Sequence, residues 1–565
     1  KFTTSSGNIT DNNEIARHFN EYFANIGPNL AKDIPLPPVS FHTFLKSSYL
    51  NSMYLEPADE AEIRKTILGL KNGSPGCDGI TVKPLVHIID HVIKPITHIC
   101  NLSLSQGCFP DALKIAEVIP LFKSGDCSFF NNYRPISLLP VFSKVLERIM
   151  YNRLYAYLVK FCILYSYQFG FRKGYSTYMA LICIVEKFIT ALENGKYAIG
   201  IFIDYRKAFD TVDHKMLLSK LYHYGIRDIA YKWFENYLSN RVQYVSFNGY
   251  KSECCNISCG VPQGSILGPV LFLIYVNDLA CVSDKLFSIL FADDTNMFAT
   301  DKNIDDLVNT INSELKSVVQ WLCANKMSLN ISKTNFMIFR QKNKTVPDVK
   351  LFIDGNKISE VETTKFLGII IDNRLTWKFH INYISTKIAK STGVILKARK
   401  LFNKDSLLML YHALVYPYLT YCIHVWGSAY DTHKDKLVIL QKKIVRIISG
   451  VPPLSHTAPL FMELKLLKLD ELYFYSVSQF MYKYHLKWLP DIIDMFIVNS
   501  DVHGYRTRQA SHFHIPHCKT NISKMFIKYQ GSVSWNNLSS CIDVNCSIGV
   551  FKNRVKQFLF DSRDQ

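Results

Sequence analysis

Two short apolar runs each end in aspartate. Tyr197-Ala-Ile-Gly-Ile-Phe-Ile203 leads into Asp204, and Leu286-Phe-Ser-Ile-Leu-Phe-Ala292 leads into Asp293-Asp294. Carboxylates at the ends of rigid strands suit phosphoryl transfer from a nucleoside triphosphate. That reaction needs phosphate charge neutralised and a hydroxyl made nucleophilic, which two Mg²⁺ ions about 3.5–4 Å apart achieve together. Mg²⁺ takes hard oxygen ligands and keeps several waters, so two or three carboxylates suffice. Each feature alone has a plainer reading: an Asp-Asp pair is a common solvated hairpin tip, and an aspartate after a strand is a common helix cap. Their combination carries the chemistry, because a glycine-rich segment, Gly260-Val-Pro-Gln-Gly-Ser-Ile-Leu-Gly-Pro269, lies between them. It lacks the G-K-[ST] of a P-loop. Its glycines let backbone approach a ligand closely, although a plain loop and helix start would read the same way.

The elements around these residues read as a mixed α+β fold. Both apolar runs are short and β-rich, the pattern of buried strands. Asp293-Asp294 separates the second from Thr295-Asn-Met-Phe-Ala299, which predicts a hairpin with the aspartates at its tip. Helical spacing is read over 142–158, from Ser176 as a cap to a stop at Gly195, over 214–224 and over 304–322. A strand over 333–339 and a hairpin at Asp354-Gly355 follow. Strand, helix, hairpin, helix, strand is the order of a ferredoxin-like sheet, which brings Asp204, Asp293 and Asp294 to one edge. Residues 1–55 are polar, with a short helix over 12–23 and a linker. From about 381 the chain reads as mostly helical.

Composition sets the class. Hydrophobic residues make up 48% and charged residues 20%, so the 565-residue chain has apolar material for several cores and is not disordered as a whole. A net charge of +18 calls for an anionic partner, and its spread along the chain favours a broad basic surface over a basic tail. No apolar run is long enough to cross a membrane, and no basic amphipathic anchor is read. The 15 cysteines form no C-x-x-C, and the groups Cys254, Cys255, Cys259 and His512, His514, His517, Cys518 lack the paired spacing of zinc sites. Buried free thiols are the plainer reading.

In order along the chain, these motifs resemble a reverse transcriptase of the non-LTR (LINE-type) retrotransposons, close to the jockey-like branches. Phe202-Ile-Asp204-Tyr-Arg-Lys-Ala-Phe-Asp210, the 260–272 segment with Tyr275-Val-Asn-Asp-Leu279, and Phe291-Ala-Asp-Asp294 are similar to the three main palm motifs. Ile119-Pro-Leu-Phe-Lys-Ser-Gly-Asp126, Asn132-Tyr-Arg-Pro-Ile-Ser-Leu138, Gln168-Phe-Gly-Phe-Arg172 and Ser176-Thr177 resemble fingers motifs. Leu329-Asn-Ile-Ser-Lys-Thr334 and Lys365-Phe-Leu-Gly-Ile369 resemble the last palm motifs. The resemblance covers about residues 10–450, and Phe291 stands where many members carry tyrosine.

That resemblance implies a right-hand polymerase fold of fingers, ferredoxin-like palm and helical thumb, with a mostly helical, basic C-terminal extension. The segments are 1–59 as a linker region, 60–195 as fingers, 196–370 as palm, 371–455 as thumb and 456–565 as extension. It implies an RNA-directed DNA polymerase that adds deoxynucleotides to a primer 3′-hydroxyl on an RNA template in target-primed reverse transcription. Asp204, Asp293 and Asp294 would hold two Mg²⁺ ions, with Mn²⁺ as a substitute. Lys123 and Arg134 would hold the triphosphate, Phe209 would block a 2′-hydroxyl, and Gln263 would contact the template base or incoming nucleotide. Lys333 would donate a proton to the leaving pyrophosphate, or else cap a strand. Leu367 and Gly368 would form the primer grip. Partners are template RNA, DNA primer and deoxynucleoside triphosphates, without a membrane. The family's upstream endonuclease is expected to be missing from this chain, and its location is nuclear with a cytoplasmic ribonucleoprotein stage. The competing readings are an RNA-dependent polymerase with another biological role and an element remnant that binds nucleic acid without catalysis.

Overall fold

The structure, a computed structural model, describes residues 1–4, 7–46, 49–340, 346–502 and 509–563. Its first long element is α1 (Asn12–Lys32), capped by the Asp11 carboxylate. The predicted 12–23 helix therefore continues for nine residues, through Pro28. α1 buries Ile15, Phe19, Phe23 and Ile26 in a small core with Phe2 of β1 (Phe2–Thr4), Val118 and Val245.

Val118 and Val245 lie in a sheet of β2 (Ile115–Phe122), β3 (Tyr133–Leu138) and a third strand, for which the chain returns a hundred residues later. Between them come α2 (Val141–Lys160), α3 (Thr177–Glu193), β4 (Tyr197–Ile203) and α4 (His214–His223), and the returning strand is β5 (Arg241–Phe247). β2 pairs β3 antiparallel and β5 in parallel. Ser176 does precede α3, but its hydroxyl makes no capping bond. The face of α3 expected from periodicity is buried: Leu181, Val185, Phe188, Ile189 and Leu192.

The second sheet holds the aspartate-bearing strands. After α5 (Gly268–Val276), β6 (Phe287–Phe291) and β7 (Asp294–Asp301) form the predicted hairpin; α6 (Ile304–Ala324), β8 (Asn335–Phe339) and β9 (Ser359–Glu360) follow. The strand order is β9-β8-β4-β7-β6. β4 lies between β8 and β7, antiparallel to both, and is buried along nearly its whole length, which is why it reads as a continuous apolar run. The simple strand–helix–hairpin–helix–strand order needs one amendment, because between β4 and β6 the chain leaves this sheet to add β5 to the other. The alternation Val242, Tyr244 and the Asn248-Gly249 turn beyond it were the signals for that strand.

A tight hairpin of β10 (Thr363–Phe366) and β11 (Ile369–Asp372) precedes the helical region, which opens with α7 (Lys378–Ala398) and contains α8 (Lys404–Leu414) and α9 (Asp431–Ser449). The C-terminal part is also mainly helical, with Leu469–His485, Ile527–Cys541 and Ile548–Asp561 packed together. Among the described residues no helix is long and apolar enough to cross a membrane.

Candidate active site

Register places the three aspartates together. Thr295 pairs with Ile203, so Asp294 and Asp204 lie one step further along adjacent antiparallel strands, and Asp293 sits in the turn beside them. Asp204 is held from a third element: Asn330 donates its side-chain amide to Asp204 Oδ2 at 2.8 Å and its backbone N–H to the Asp204 carbonyl at 2.8 Å. Thr334 Oγ1 accepts the Asp204 N–H at 3.3 Å.

The electrostatics match this convergence. Burial pushes the Asp293 carboxyl up, the Asp204 charge adds to the shift, and Arg134 and Lys123 oppose it. Asp294 is pushed up to about 6 by burial, then by Asp293 and Asp204, with Lys123 opposing. Carboxylates crowded in this way lack countercharge, and a divalent cation supplies it. Among the described residues no group of three or more His, Cys, Asp and Glu is gathered closely enough to ligate an ion by itself. The aspartates suit Mg²⁺ nonetheless, since that ion takes one or two carboxylates and completes its shell with substrate phosphates and water. The His/Cys groups near 255 and 515 form no metal site among these residues.

A basic group faces the aspartates. Lys123 follows β2, and Arg134 of β3 lies opposite Leu121, both exposed. Lys207 has its charged form disfavoured by burial, an effect that Asp210 opposes and that Lys123, Arg134 and Lys333 reinforce, so the four cations converge. Lys333 is exposed just before β8, with its N–H on the Asn330 carbonyl at 3.1 Å.

Phe209 follows β4 in a short turn. Its ring stacks on Phe272 of α5 at 4.3 Å and meets Phe171 edge-on at 6.1 Å. One face is thus packed while the residue keeps partial exposure, as a steric stop requires. Gln263 donates its amide to Asp210 Oδ1 at 2.8 Å, and its carbonyl accepts the Ser137 N–H at 2.8 Å. Gly264 has φ +131°, and a Cβ there would sit 2.5 Å from the Ser137 carbonyl oxygen, so this close approach requires glycine. A cavity of about 50 Å³ lies beside Gln263, Asp210, Ser137 and Arg241.

Several supporting residues had no individual signal in the sequence. Glu147 in α2 is fully buried and accepts the N–H groups of Ile266 at 2.6 Å and Leu267 at 3.3 Å, holding the loop that carries Gln263 where it enters α5. Burial pushes its carboxyl up, against the charge of Arg241 and these bonds. α1 backs the site from behind, since a Cβ at Gly27 would fall 2.6 Å from the Asp210 carbonyl oxygen. Leu367 and Gly368 form the tip of the β10–β11 hairpin, both with positive φ. The Tyr421 hydroxyl donates to the Leu367 carbonyl at 2.9 Å. Burial pushes the Tyr421 hydroxyl up, and among the smaller causes is the charge of Asp294.

Comparison with known proteins agrees with the motifs. Residues 123–371 match the family described as "Reverse transcriptase (RNA-dependent DNA polymerase)". The chain is similar to the RNA-directed DNA polymerase from mobile element jockey of Drosophila melanogaster, 31% identical over 442 residues, covering 76% of this chain and 48% of that protein. The corresponding Drosophila funebris protein is 29% identical over 488 residues, 83% of this chain and 52% of that protein. The probable RNA-directed DNA polymerase from transposon X-element of Drosophila melanogaster is 30% identical over 423 residues, 73% and 46% respectively. The chain spans about half the length of these relatives. The resemblance to jockey-like elements drawn from the motifs is borne out.

Proposed function

We propose that this chain, whose residues 123–371 belong to the reverse transcriptase (RNA-dependent DNA polymerase) family, is an RNA-directed DNA polymerase of a non-LTR retrotransposon working in target-primed reverse transcription. The reading assigns a right-hand arrangement, with fingers over 60–195, a ferredoxin-like palm over 196–370, a thumb over 371–455 and a helical extension beyond it. The observation that carries the chemistry is the convergence of Asp204, Asp293 and Asp294 at one sheet edge, opposite Lys123, Arg134, Lys207 and Lys333.

Asp204, Asp293 and Asp294 would hold two Mg²⁺ ions, with Mn²⁺ as a substitute. When bound, the ions neutralise phosphate charge and lower the pKa of the primer hydroxyl. Lys123 and Arg134 bind the triphosphate of the incoming deoxynucleotide, where ammonium and guanidinium groups suit dense negative charge. Gln263, held by Asp210 and Ser137, contacts the base pair being formed. Phe209, backed by Phe272, stands against the sugar and excludes a 2′-hydroxyl. In the reaction the primer 3′-oxygen bonds to the α-phosphorus and the α–β bridging bond breaks. The hydroxyl proton goes to solvent, and Lys333 gives a proton to the departing pyrophosphate. Leu367 and Gly368 bear on the primer end. Electrostatic positioning supplies the rate gain, since phosphoryl transfer asks little covalent chemistry of the protein.

Template RNA and DNA primer would lie along the basic surface, with affinity that falls steeply in salt. By family resemblance the work is done in the nucleus, after a cytoplasmic ribonucleoprotein stage. Primer extension on an RNA template with Mg²⁺ and deoxynucleotides tests the proposal, and a folded protein that binds template–primer without extending it would refute it.

A further inference from the structure

The hairpin that carries Asp293 and Asp294 is not held by its own strands alone. Ala292, immediately before them, has φ +56°, a left-handed conformation that residues with a Cβ rarely adopt and that persists only when the surroundings enforce it. The enforcing group comes from 124 residues upstream. Gln168, 2% exposed, accepts the Ala292 N–H on its Oε1 at 2.9 Å and the Gly170 N–H on the same oxygen at 2.9 Å. The backbone on either side is bonded to β6: the Phe169 N–H donates to the Leu290 carbonyl at 2.8 Å, and the Leu290 N–H to the Tyr167 carbonyl at 3.0 Å. Contact is so close at the next residue that a Cβ on Gly170 would fall 2.3 Å from the Ala292 nitrogen.

Segment 167–170 thus extends the aspartate-bearing sheet past β6, and its one buried polar side chain reaches the turn rather than solvent. Arg172 secures the segment in turn, donating Nη1 to the carbonyls of Tyr165 at 2.9 Å and Gln168 at 3.2 Å. A merely structural glutamine in this place would satisfy any nearby donor. This one is bonded to the N–H whose direction sets the turn from which both carboxylates project.

We infer that Gln168 is a positioning residue for the metal-binding carboxylates, fixing Ala292 in its left-handed conformation so that Asp293 and Asp294 face the cation site. This rests on the proposed polymerase function for the identity of that site. Residues that orient metal ligands typically contribute ten- to a hundredfold in affinity when lost. The probe is Mn²⁺, its binding followed by the electron paramagnetic resonance of the free ion. Gln168→Met keeps the side-chain length and removes the strong acceptor. It is expected to weaken Mn²⁺ binding roughly tenfold or more, while template–primer binding in the absence of metal stays at the parental level. Adding Ala292→Gly to Gln168→Met relieves the backbone cost that Gln168 offsets, and is expected to recover part of the lost affinity. Should Gln168→Met not fold, Gln168→Asn, which withdraws the acceptor by one methylene, replaces it under the same criteria. Mn²⁺ binding unchanged in the single variant, or weakened without any recovery in the double variant, would overturn the inference. A parent that binds Mn²⁺ yet never extends a primer would instead refute the polymerase reading and leave this one standing.

Discussion

The Tyr421 hydroxyl donates to the carbonyl of Leu367 at 2.9 Å, and its ring lies where a Cβ on Gly368 would come within 3.1 Å. The helical region after α7 and α8 thereby reaches back to the hairpin tip that the sequence assigns to the primer. Burial pushes the Tyr421 hydroxyl up, and the Asp294 charge adds to the shift. One side chain therefore ties the proposed primer grip to the helical region.

Tyr421→Phe removes that bond and keeps the ring. A typical net hydrogen bond is worth about 1 kcal/mol, or several-fold in an equilibrium. The expected result is shorter products from a single binding event, read with a nucleic-acid trap added at the start of extension, with thermal stability near the parent's. Product lengths equal to the parent's would show that Leu367 needs no such tether.

Phe209 is stacked on Phe272 at 4.3 Å and is only partly buried. Phe209→Ala opens space beside the sugar and is expected to raise ribonucleotide incorporation relative to deoxynucleotide by about tenfold or more, which corresponds to ~1.4 kcal/mol. The ratio of kcat/KM for the two nucleotides on one template measures it. An unchanged ratio would remove Phe209 from sugar selection.

What was legible in the sequence follows from local physics. β4 and β6 announced themselves because strands buried on both faces are apolar throughout, and the turn chemistry of Asp293-Asp294 marked the hairpin. The helix expected over 12–23 stops short of α1, which runs on through Gly27 and Pro28. In the fold Gly27 is required by the close approach of Asp210, and Pro28 is tolerated within the helix. β5 was missed where its partner lies a hundred residues upstream. The roles of Gln168, Glu147 and Tyr421 were not legible, since each depends on a contact across 54 to 124 residues that no spacing encodes.

Lys220 and Asp278 form an ion pair at 2.6 Å with side chains 0% and 2% exposed, and Lys220 Nζ also donates to the Tyr275 carbonyl. Burial lowers the Lys220 ammonium from its usual range, against the pull of Asp278. Lys220→Met strands the Asp278 carboxylate and is expected to cost about 3–5 kcal/mol, seen as a lower midpoint in urea unfolding. The pair Lys220→Met with Asp278→Leu is expected to lose far less. Equal losses would show that the pair's own attraction, and not the stranded charge, dominates.

His380 sits against Trp426 at 5.6 Å and accepts the Ile370 N–H on Nδ1 at 3.4 Å. Burial, with the nearby Lys365 charge, pushes its imidazole down to about 4. The unfolded chain has an imidazole near the ordinary value of about 6.5, so it binds a proton that the folded state refuses over that interval. Stability from this group is complete above about 6.5 and falls as pH drops toward 4, by about 3 kcal/mol at most. His380→Gln is expected to flatten that part of the stability curve in urea unfolding at stepped pH. A slope equal to the parent's would assign the acid sensitivity elsewhere.

The central claim is that Asp204, Asp293 and Asp294 form the metal site of an RNA-directed DNA polymerase. Its most direct test is primer extension on an RNA template with Mg²⁺ and deoxynucleotides, with the parent and Asp293→Ala run side by side and template–primer binding measured for both. The account expects extension by the parent, none by the variant, and similar binding by the two. Extension that survives Asp293→Ala, or binding lost together with synthesis in a folded variant, would contradict it.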